Sequence, residues 1–131
     1  MKRLTIALAA VAALALAPAA VASGSLSGKY KTVIKGSHQL GGGLNGTWVL
    51  NFTKGQYHVT DNGMAVVHGK TVIKGNVITF RDEKGSNGCP TPGKYRFKLN
   101  GKKLTFKRIS DSTSSNCLGR TLVLARTFTK V

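Results

Sequence analysis

Residues 44–53 read Leu-Asn-Gly-Thr-Trp-Val-Leu-Asn-Phe-Thr, and this stretch decides the fold. Its bulkiest apolar side chains, Trp48, Leu50 and Phe52, alternate with Thr47, Val49 and residues 51 and 53. Strict alternation puts one set of side chains on a single face of a β-strand. We therefore expect a strand over residues 46–53 whose Trp48 face begins the core and is covered by the rest of the chain.

The chain that surrounds this strand repeats the same alternation in short runs separated by glycine-bearing turns. This spacing is typical of an all-β protein built from hairpins. No stretch after the first 22 residues carries a helical period of useful length. The predicted strands are 28–35, 46–53, 56–61, 64–74, 77–81, 93–99, 102–109 and 120–130.

Two-residue turns link several of these strands, and each contains a glycine suited to positive φ. The turns are Lys54-Gly55, Asn62-Gly63, Gly75-Asn76 and Asn100-Gly101. A two-residue turn fixes the register of its hairpin, and a slip of one residue would move every side chain to the wrong face. The apolar cross-strand pairs predicted in this way are Phe52–Tyr57, Leu50–Val59, Ile73–Ile78, Phe97–Leu104 and Tyr95–Phe106.

The predicted strand 64–74 contains a conflict of register. Its first turn places His68 opposite Tyr57 on the inner face, whereas its second turn places Thr71 and Ile73 inside. A strand cannot keep both parities without an extra residue. Because glycine within a strand often marks a bulge, we expect one near Gly69.

All nine aromatic residues fall on the predicted inner face. Eight antiparallel strands with one apolar face close most simply into an up-and-down meander barrel, which also removes exposed strand edges. A two-sheet β-sandwich is the alternative, although it usually needs longer crossovers. We expect one barrel domain over residues 23–131, because that length suits a single core.

Residues 1–22 are predicted to be a secretory signal peptide. A basic start, Lys2-Arg3, precedes an apolar run, and small residues ending at Ala22 form a cleavage site. The run is too short for a transmembrane segment. We therefore expect a secreted protein, extracellular or periplasmic and of bacterial type, cleaved near Ala22.

The charge of the chain is strongly positive. Twenty Lys and Arg residues stand against four acidic residues, for a formal net charge of +16. Such a charge attracts anionic envelope polymers or lipid surfaces, although it also serves solubility alone. Five basic residues on two neighbouring strands are predicted to form an outward basic stripe. They are Lys94, Arg96, Lys98, Lys103 and Lys107.

Cys89 and Cys117 are the only cysteines, and export favours a disulfide between them. Two bridged thiols and three scattered histidines predict neither a metal site nor a cofactor. The up-and-down path also places both cysteines, with the long segments 36–45, 82–92 and 110–119, at one end of the barrel. Binding residues concentrate on such loops, so we expect the working end there.

Catalytic motifs are missing from the sequence. The four acidic residues form no convincing acid–base pair, and no nucleophile elbow or metalloprotease motif occurs. We therefore predict that the protein is not an enzyme. Nucleic-acid binding is also not expected, because the aromatic residues that would stack on bases point inward. We expect a monomer.

The long-loop end is predicted to hold a binding site. Trp48 faces Asp61 by register, and Arg108 and Arg120 keep the inward parity of their strands, with His68 farther inside. An eight-stranded barrel is either filled or just wide enough for one small ligand. A basic, aromatic mouth suits a small amphipathic anion. In the alternative, Arg120 covers the Trp48 ring as a cation–π lid and closes the barrel.

Gly46-Thr47-Trp48, together with an inward arginine predicted on the last strand, resembles the calycin superfamily of lipocalins, fatty-acid-binding proteins and avidins. In those barrels a basic residue packs across the tryptophan, and the matching positions here are Arg120 or Arg126. The resemblance implies a secreted lipocalin-like binding protein for a small hydrophobic or amphipathic molecule. Two features depart from it: the tryptophan lies on the second strand, and no avidin biotin-site pattern is recognisable. A solid barrel that adheres to envelope polyanions, or that inhibits a protein partner, is the competing hypothesis.

Overall fold

The structure is a computed structural model that describes residues 26–131. The predicted signal peptide and its cleavage site therefore lie outside the described residues. A short 3₁₀ segment, Gln39–Gly42, precedes the second strand, and one helix precedes the last. The elements are β1 (Gly28–Ile34), β2 (Gly46–Thr53), β3 (Gln56–Asp61), β4 (Met64–Lys74), β5 (Val77–Lys84), β6 (Gly93–Asn100), β7 (Lys103–Ser110), α1 (Leu118–Leu124) and β8 (Phe128–Lys130).

The eight strands form a closed antiparallel barrel in sequence order. The predicted up-and-down barrel is confirmed, and the sandwich alternative is wrong. Closure depends on β8, which pairs with β1 at Tyr30–Lys130 and with β7 at Leu104–Phe128. In the described part of the chain, no helix is long and apolar enough to cross a membrane.

The predicted registers hold in the β2–β3 and β4–β5 hairpins, whereas the β6–β7 register differs and the β3–β4 register departs beyond a bulge. Leu50 lies opposite Val59 and Phe52 opposite Tyr57, as expected. Ile73 also meets Ile78. In the β6–β7 hairpin the register is displaced by two residues, because Gly101-Lys102 forms the turn instead of Asn100-Gly101. The pairs there are Asn100–Lys103, Leu99–Leu104, Phe97–Phe106 and Tyr95–Arg108.

The conflict in β4 is resolved by two irregularities and not by one. The predicted irregularity lies between His68 and Lys70. A second falls earlier, where Val59 pairs with Val67 but Thr60 pairs with Ala65. This earlier bulge shifts the remainder of β4 by one position. The prediction that His68 lies inside opposite Tyr57 is therefore wrong, since His68 is exposed and pairs with His58.

Gly69 takes the inner position opposite Tyr57 instead. A Cβ atom at Gly69 would lie 2.6 Å from the Arg81 carbonyl oxygen and 3.0 Å from the Tyr57 ring. Only glycine therefore lets the Tyr57 ring lie against this strand. Downstream, β5 continues beyond its predicted end at residue 81 to Lys84, which pairs with His68.

The predicted eighth strand, residues 120–130, is wrong in its first half. Residues 118–124 form α1, and only Phe128–Lys130 join the sheet. A helical spacing is present but short: Arg120, Val123 and Leu124 are three and four residues apart and share one helix face. Val123 and Leu124 are buried, so α1 packs its apolar face on the core.

The core occupies the barrel interior. All nine aromatic residues belong to it, eight buried and Phe106 partly buried, as predicted from their parity. Five rings form one cluster in the interior, in edge-to-face or tilted contacts with centroids 5.8–6.4 Å apart. They are Phe52, Phe80, Tyr95, Phe106 and Phe128.

Candidate functional site: an interior cavity at the long-loop end

A cavity of about 280 Å³ lies inside the barrel at the long-loop end. Leu40 and Asn87 line it and are exposed, so the cavity opens to solvent between the 3₁₀ segment and the β5–β6 loop. Gly119 and the buried face of α1 form another wall. The remaining lining residues are Gly43, Leu44, Trp48, Leu50, Tyr57, Val59, Val66, Val67, Phe80, Glu83, Arg120, Val123 and Leu124.

The cavity exists because side-chain size decreases along the interior. Aromatic rings fill much of the interior beside the cavity, whereas β3 and β4 contribute the smaller side chains of Val59, Val66 and Val67 to its wall. The early bulge in β4 is responsible for one of these contacts. It lets two consecutive residues, Val66 and Val67, both line the interior, and neither is large enough to fill it.

Glu83 is the acidic group of the cavity wall, and its side chain is only 2 % exposed. The Tyr57 hydroxyl donates a hydrogen bond to its Oε1 atom. The Cys89 backbone N–H donates to its Oε2 atom at 2.7 Å. Arg120 Nη1 lies 3.2 Å from Oε1 in an ion pair. A buried carboxylate is costly unless paired, and these three groups supply the pairing.

Arg120 is held on its other side by Asp111. Its Nε atom donates to Asp111 Oδ2 at 2.8 Å, and its Nη2 atom donates to Asp111 Oδ1. Nη2 also donates to the Thr91 carbonyl at 2.7 Å, and the Tyr95 hydroxyl donates to Asp111 Oδ2. The result is a continuous chain of contacts from Tyr57 through Glu83, Arg120 and Asp111 to Tyr95. We call these five residues the mouth network.

The pairing fixes the charges of the mouth network. Burial opposes ionisation of Asp111, but hydrogen bonds from Arg120 and Tyr95 outweigh it and hold the pKa of this carboxyl below its usual value. Burial likewise disfavours the charged form of Arg120, yet the two carboxyl groups raise the pKa of its guanidinium. One guanidinium therefore faces two carboxyl groups, and all three side chains are almost fully buried.

One polar atom of the mouth network is left over. Arg120 Nη1 is buried and makes no hydrogen bond, although it lies in the ion pair with Glu83. The Arg120 side chain is 6 % exposed, and the residue lines the cavity. A buried N–H without an acceptor costs free energy comparable to that of a lost hydrogen bond. An oxygen atom placed in the cavity would satisfy it.

The tyrosines of the core give a prediction for alkaline solution. Burial raises the pKa of Tyr30, Tyr57 and Tyr95, and nearby carboxyl groups raise it further for the last two. The folded state therefore holds phenolic protons that the unfolded state loses near pH 10. Their contribution to stability is complete below pH 10 and is lost as the pH rises beyond it. We expect phenolate absorbance to appear together with unfolding, measured by ultraviolet titration alongside circular dichroism. A phenolate signal from the intact fold near pH 10 would contradict this.

Sequence reasoning placed five residues at this end, and the structure brings two of them to the cavity, Trp48 and Arg120. Asp61 lies opposite Trp48 in register, as expected, but does not line the cavity. Arg108 keeps its inward parity opposite Tyr95 yet is exposed, and His68 lies outside. Asp61, Arg108 and His68 are therefore not part of the cavity wall.

The Trp48 ring has no arginine lid. Its Nε1 atom donates to the Leu44 carbonyl at 2.8 Å, which ties the strand to the preceding loop. Within residues 26–131 the cation–π contact found is Lys130 over Tyr30, 5.9 Å from the ring centroid. Arg120 lies on α1 and is bound by carboxyl groups, so the cation–π lid predicted for it is wrong.

Tyr57, Glu83 and Asp111 were missed as site residues. Glu83 and Asp111 are two of only four acidic residues, and both flank long loops that carry the cysteines. Their position beside these loops is the feature of the sequence that could have indicated a place at the long-loop end. It could not reveal pairing with Arg120, because Arg120 was placed on a strand and not on a helix.

The predicted disulfide is confirmed. Cys89 and Cys117 are bonded, with their Cα atoms 4.7 Å apart and both residues buried. The bond joins the β5–β6 loop to the residue before α1. Because the Cys89 backbone N–H binds Glu83, the disulfide also holds one hydrogen-bond donor of the mouth network in place.

The predicted basic stripe lies on the outer wall of β6 and β7. Its five members are exposed, and Arg96 pairs with Lys107 across the two strands. Three of the acidic residues, Asp61, Glu83 and Asp111, lie elsewhere, in partly or fully buried positions. Within the described residues, no three His, Cys, Asp or Glu side chains cluster as a metal site would require. No protein-family model, curated protein or solved structure matches this chain.

Proposed function

We propose that the protein binds a small hydrophobic or amphipathic molecule in the interior cavity and is not an enzyme. The observation that carries this proposal is the Arg120 Nη1 atom, which lies in the wall of an otherwise largely apolar cavity and makes no hydrogen bond beside its ion pair with Glu83. Ligand sites are typically concave and apolar with a few polar groups that fix orientation. Here the apolar wall would hold the body of the ligand, and Arg120 would hold its polar end.

The polar end of the ligand is proposed to be an uncharged oxygen, such as a carbonyl, ester or hydroxyl group. The anionic head expected from two free arginines loses its support, because Arg108 is exposed and does not line the cavity, and Arg120 already faces Glu83 and Asp111. A second anion beside Glu83 would meet like charge in a space of low dielectric constant. A neutral acceptor satisfies Nη1 without that cost.

A calycin-like role is consistent with the barrel and with the position of Trp48 at the cavity. We propose that the chain is exported, that residues 1–22 are its signal peptide, and that it acts as a monomer outside the cytoplasm. The disulfide supports an oxidising compartment, since such bonds persist mainly in extracellular or periplasmic proteins.

The test uses N-phenyl-1-naphthylamine, a neutral apolar fluorophore. We expect saturable binding with energy transfer from Trp48, the only tryptophan. Val67→Phe, which adds a ring inside the cavity, should weaken binding about tenfold or more, the factor that corresponds to about 1.4 kcal/mol. Val72→Phe, on the same strand but exposed, should not.

Equal binding by both variants, or none by the folded wild type, would refute the cavity proposal. Thermal unfolding of each variant verifies that it is folded. Native mass spectrometry of the protein purified from its own source provides an independent readout. A co-purifying small molecule that is retained by Val72→Phe and lost by Val67→Phe would identify the physiological ligand class.

A second candidate function is adhesion to anionic envelope polymers through the basic stripe, which the exposed Arg96–Lys107 pair favours. We expect Lys94→Glu, Arg96→Glu and Lys98→Glu together to abolish retention on a heparin matrix at physiological salt, because adjacent like charges bind a polyanion cooperatively. The matched control is a triple variant that carries Lys35→Glu, Lys54→Glu and Lys74→Glu. It changes the net charge of the protein by the same amount, but its substitutions lie outside β6 and β7. If both triple variants elute at the same salt concentration, the stripe has no special role.

A further inference from the structure

A second depression, of about 380 Å³, lies on the outside of the barrel across β3, β4 and β5. The His58 and His68 rings are stacked there, with centroids 5.8 Å apart and planes 16° from parallel. They form a cross-strand pair, and Lys84 pairs with His68 on the next strand. Lys70 and Gln56, a second cross-strand pair, complete the lining.

The irregularity in β4 shapes this depression. The pairing of β4 with β5 shifts between His68 and Lys70, and the residue between them is Gly69, which also lines the floor. Glycine adds no side chain, so the neighbouring side chains surround an open space. The same parity change that removed His68 from the interior brings it beside His58 on the outer face.

Every side chain that lines the depression can donate hydrogen bonds. Lys70 and Lys84 supply ammonium groups, Gln56 supplies an amide, and both imidazoles become donors at both nitrogens when protonated. No acidic side chain among those that the structure describes lines the space. The two lysines disfavour a metal cation here, and among the described side chains no third metal-ligating group joins the histidines. The chemistry matches a multiply charged oxyanion.

We propose that this depression is a binding site for a phosphate or sulfate group, and that binding is strengthened by protonation of His58 and His68. Among the side chains that the structure describes, the charged groups that face the pair are Lys70 on their own hairpin and Lys84 on β5, with Arg81 opposite Lys70. All are basic, so in the free protein each added proton meets like charge. A doubly charged oxyanion between them removes that repulsion, and its binding takes up protons.

The direction of the pH dependence follows from this proton uptake. Histidine titrates near pH 6.5, so affinity for the oxyanion should rise as the pH falls through that region. The proposal does not depend on the interior cavity, because the two sites lie on opposite sides of the barrel wall and share no polar side chain.

Sulfate is the probe of choice, because its charge does not change between pH 5.5 and pH 8. Titration of the protein with sulfate, followed by proton NMR of the imidazole groups, reports on each histidine separately. We expect saturable changes in the chemical shifts of the His58 and His68 imidazole protons, and a dissociation constant about tenfold lower at pH 5.5 than at pH 8. His38, in the exposed loop before β2, should not respond.

The matched variants separate this site from the general basic charge of the protein. His58→Gln with His68→Gln should remove the pH dependence of sulfate binding, whereas His38→Gln should retain it. Lys84→Gln should weaken binding at both pH values. The proposal is overturned if His38 shifts as much as the pair, if the double variant keeps the pH dependence, or if no saturable binding occurs.

A second arm identifies the source of the group. Phosphatidylcholine vesicles with and without phosphatidic acid are compared with free inorganic phosphate at pH 5.5. Binding to phosphatidic acid vesicles that the double histidine variant loses assigns the site to a lipid phosphate. Binding of the free ion alone assigns it to a soluble phosphate or sulfate, and binding of neither overturns the site.

Discussion

We expect Arg120→Met to lower the free energy of unfolding by about 3–5 kcal/mol at pH 7, because the substitution leaves Asp111 and Glu83 buried without their common counter-charge. In the native protein both side chains are at most 2 % exposed, so solvent cannot replace the guanidinium. The free energy of unfolding of a domain is typically about 5–15 kcal/mol, so the expected loss is a large fraction of the total. Urea unfolding at fixed pH measures it.

The difference in free energy of unfolding between the wild type and Arg120→Met should become smaller as the pH falls. In the wild type the pKa of Asp111 is lowered, so this group contributes stability above its usual value near 4 that is lost as the pH falls further. In the variant, Asp111 keeps the hydrogen bonds from Tyr95 and Ser112 but loses the charge and hydrogen bonds of Arg120, so burial favours its neutral form more than in the wild type. The two unfolding curves should therefore approach each other toward pH 3.

The controls distinguish a buried charge from a lost side chain. Arg108→Met removes an exposed arginine and should change stability by less than about 0.5 kcal/mol. Adding Glu83→Gln and Asp111→Asn to Arg120→Met should recover much of the loss, because no uncompensated charge remains. If the triple variant is as unstable as the single one, the loss comes from packing and the account of the mouth network is wrong.

The second large effect concerns the disulfide. We expect Cys89→Ala with Cys117→Ala to lower the free energy of unfolding by about 3–4 kcal/mol, the chain-entropy value for a loop of this length. The separation of the two cysteines is 28 residues. The bond also holds in place the Cys89 N–H that donates to Glu83. Its removal should therefore destabilise the folded state as well as free the unfolded chain. Guanidinium unfolding of oxidised wild type and double variant gives the difference.

Reduced wild-type protein is the matched control for this variant. It should resemble the double alanine variant in unfolding midpoint, since both lack the cross-link. Binding of the naphthylamine probe should weaken in both, because α1 and the β5–β6 loop that border the cavity are no longer joined. Unchanged stability on reduction would show that the bond is not the constraint proposed here.

The barrel could be predicted from the sequence because the patterns that determine it lie within single strands and hairpins. Alternation gives the faces, and turns such as Lys54-Gly55 give the registers of neighbouring strands without reference to the rest of the fold. The β6–β7 register was displaced by two residues because Asn100-Gly101 and Gly101-Lys102 are both acceptable turns. A shift of two residues preserves parity, so the inner face was still correct.

The site could not be predicted as well, because its residues meet through tertiary contacts. α1 has two turns at most, and over so short a stretch strand and helix patterns overlap; Arg120 was therefore assigned to a strand. Its partners are Glu83 on β5 and Asp111 in the loop after β7, and neither lies on a strand paired with the predicted one. Local parity could not indicate that a charged residue on β5, Glu83, would be buried and paired.

Steric crowding explains the glycine two residues before Trp48. Gly46 has φ +152°, and a Cβ atom there would lie 2.1 Å from Asp61 Oδ1, so an L side chain is excluded on both grounds. Asp61 holds that place because it is the register partner of Trp48. Any meander barrel with an acid at this position would select the same glycine, whatever its ancestry. A shared Gly-x-Trp can therefore arise by convergence, and common descent has to be argued from other residues.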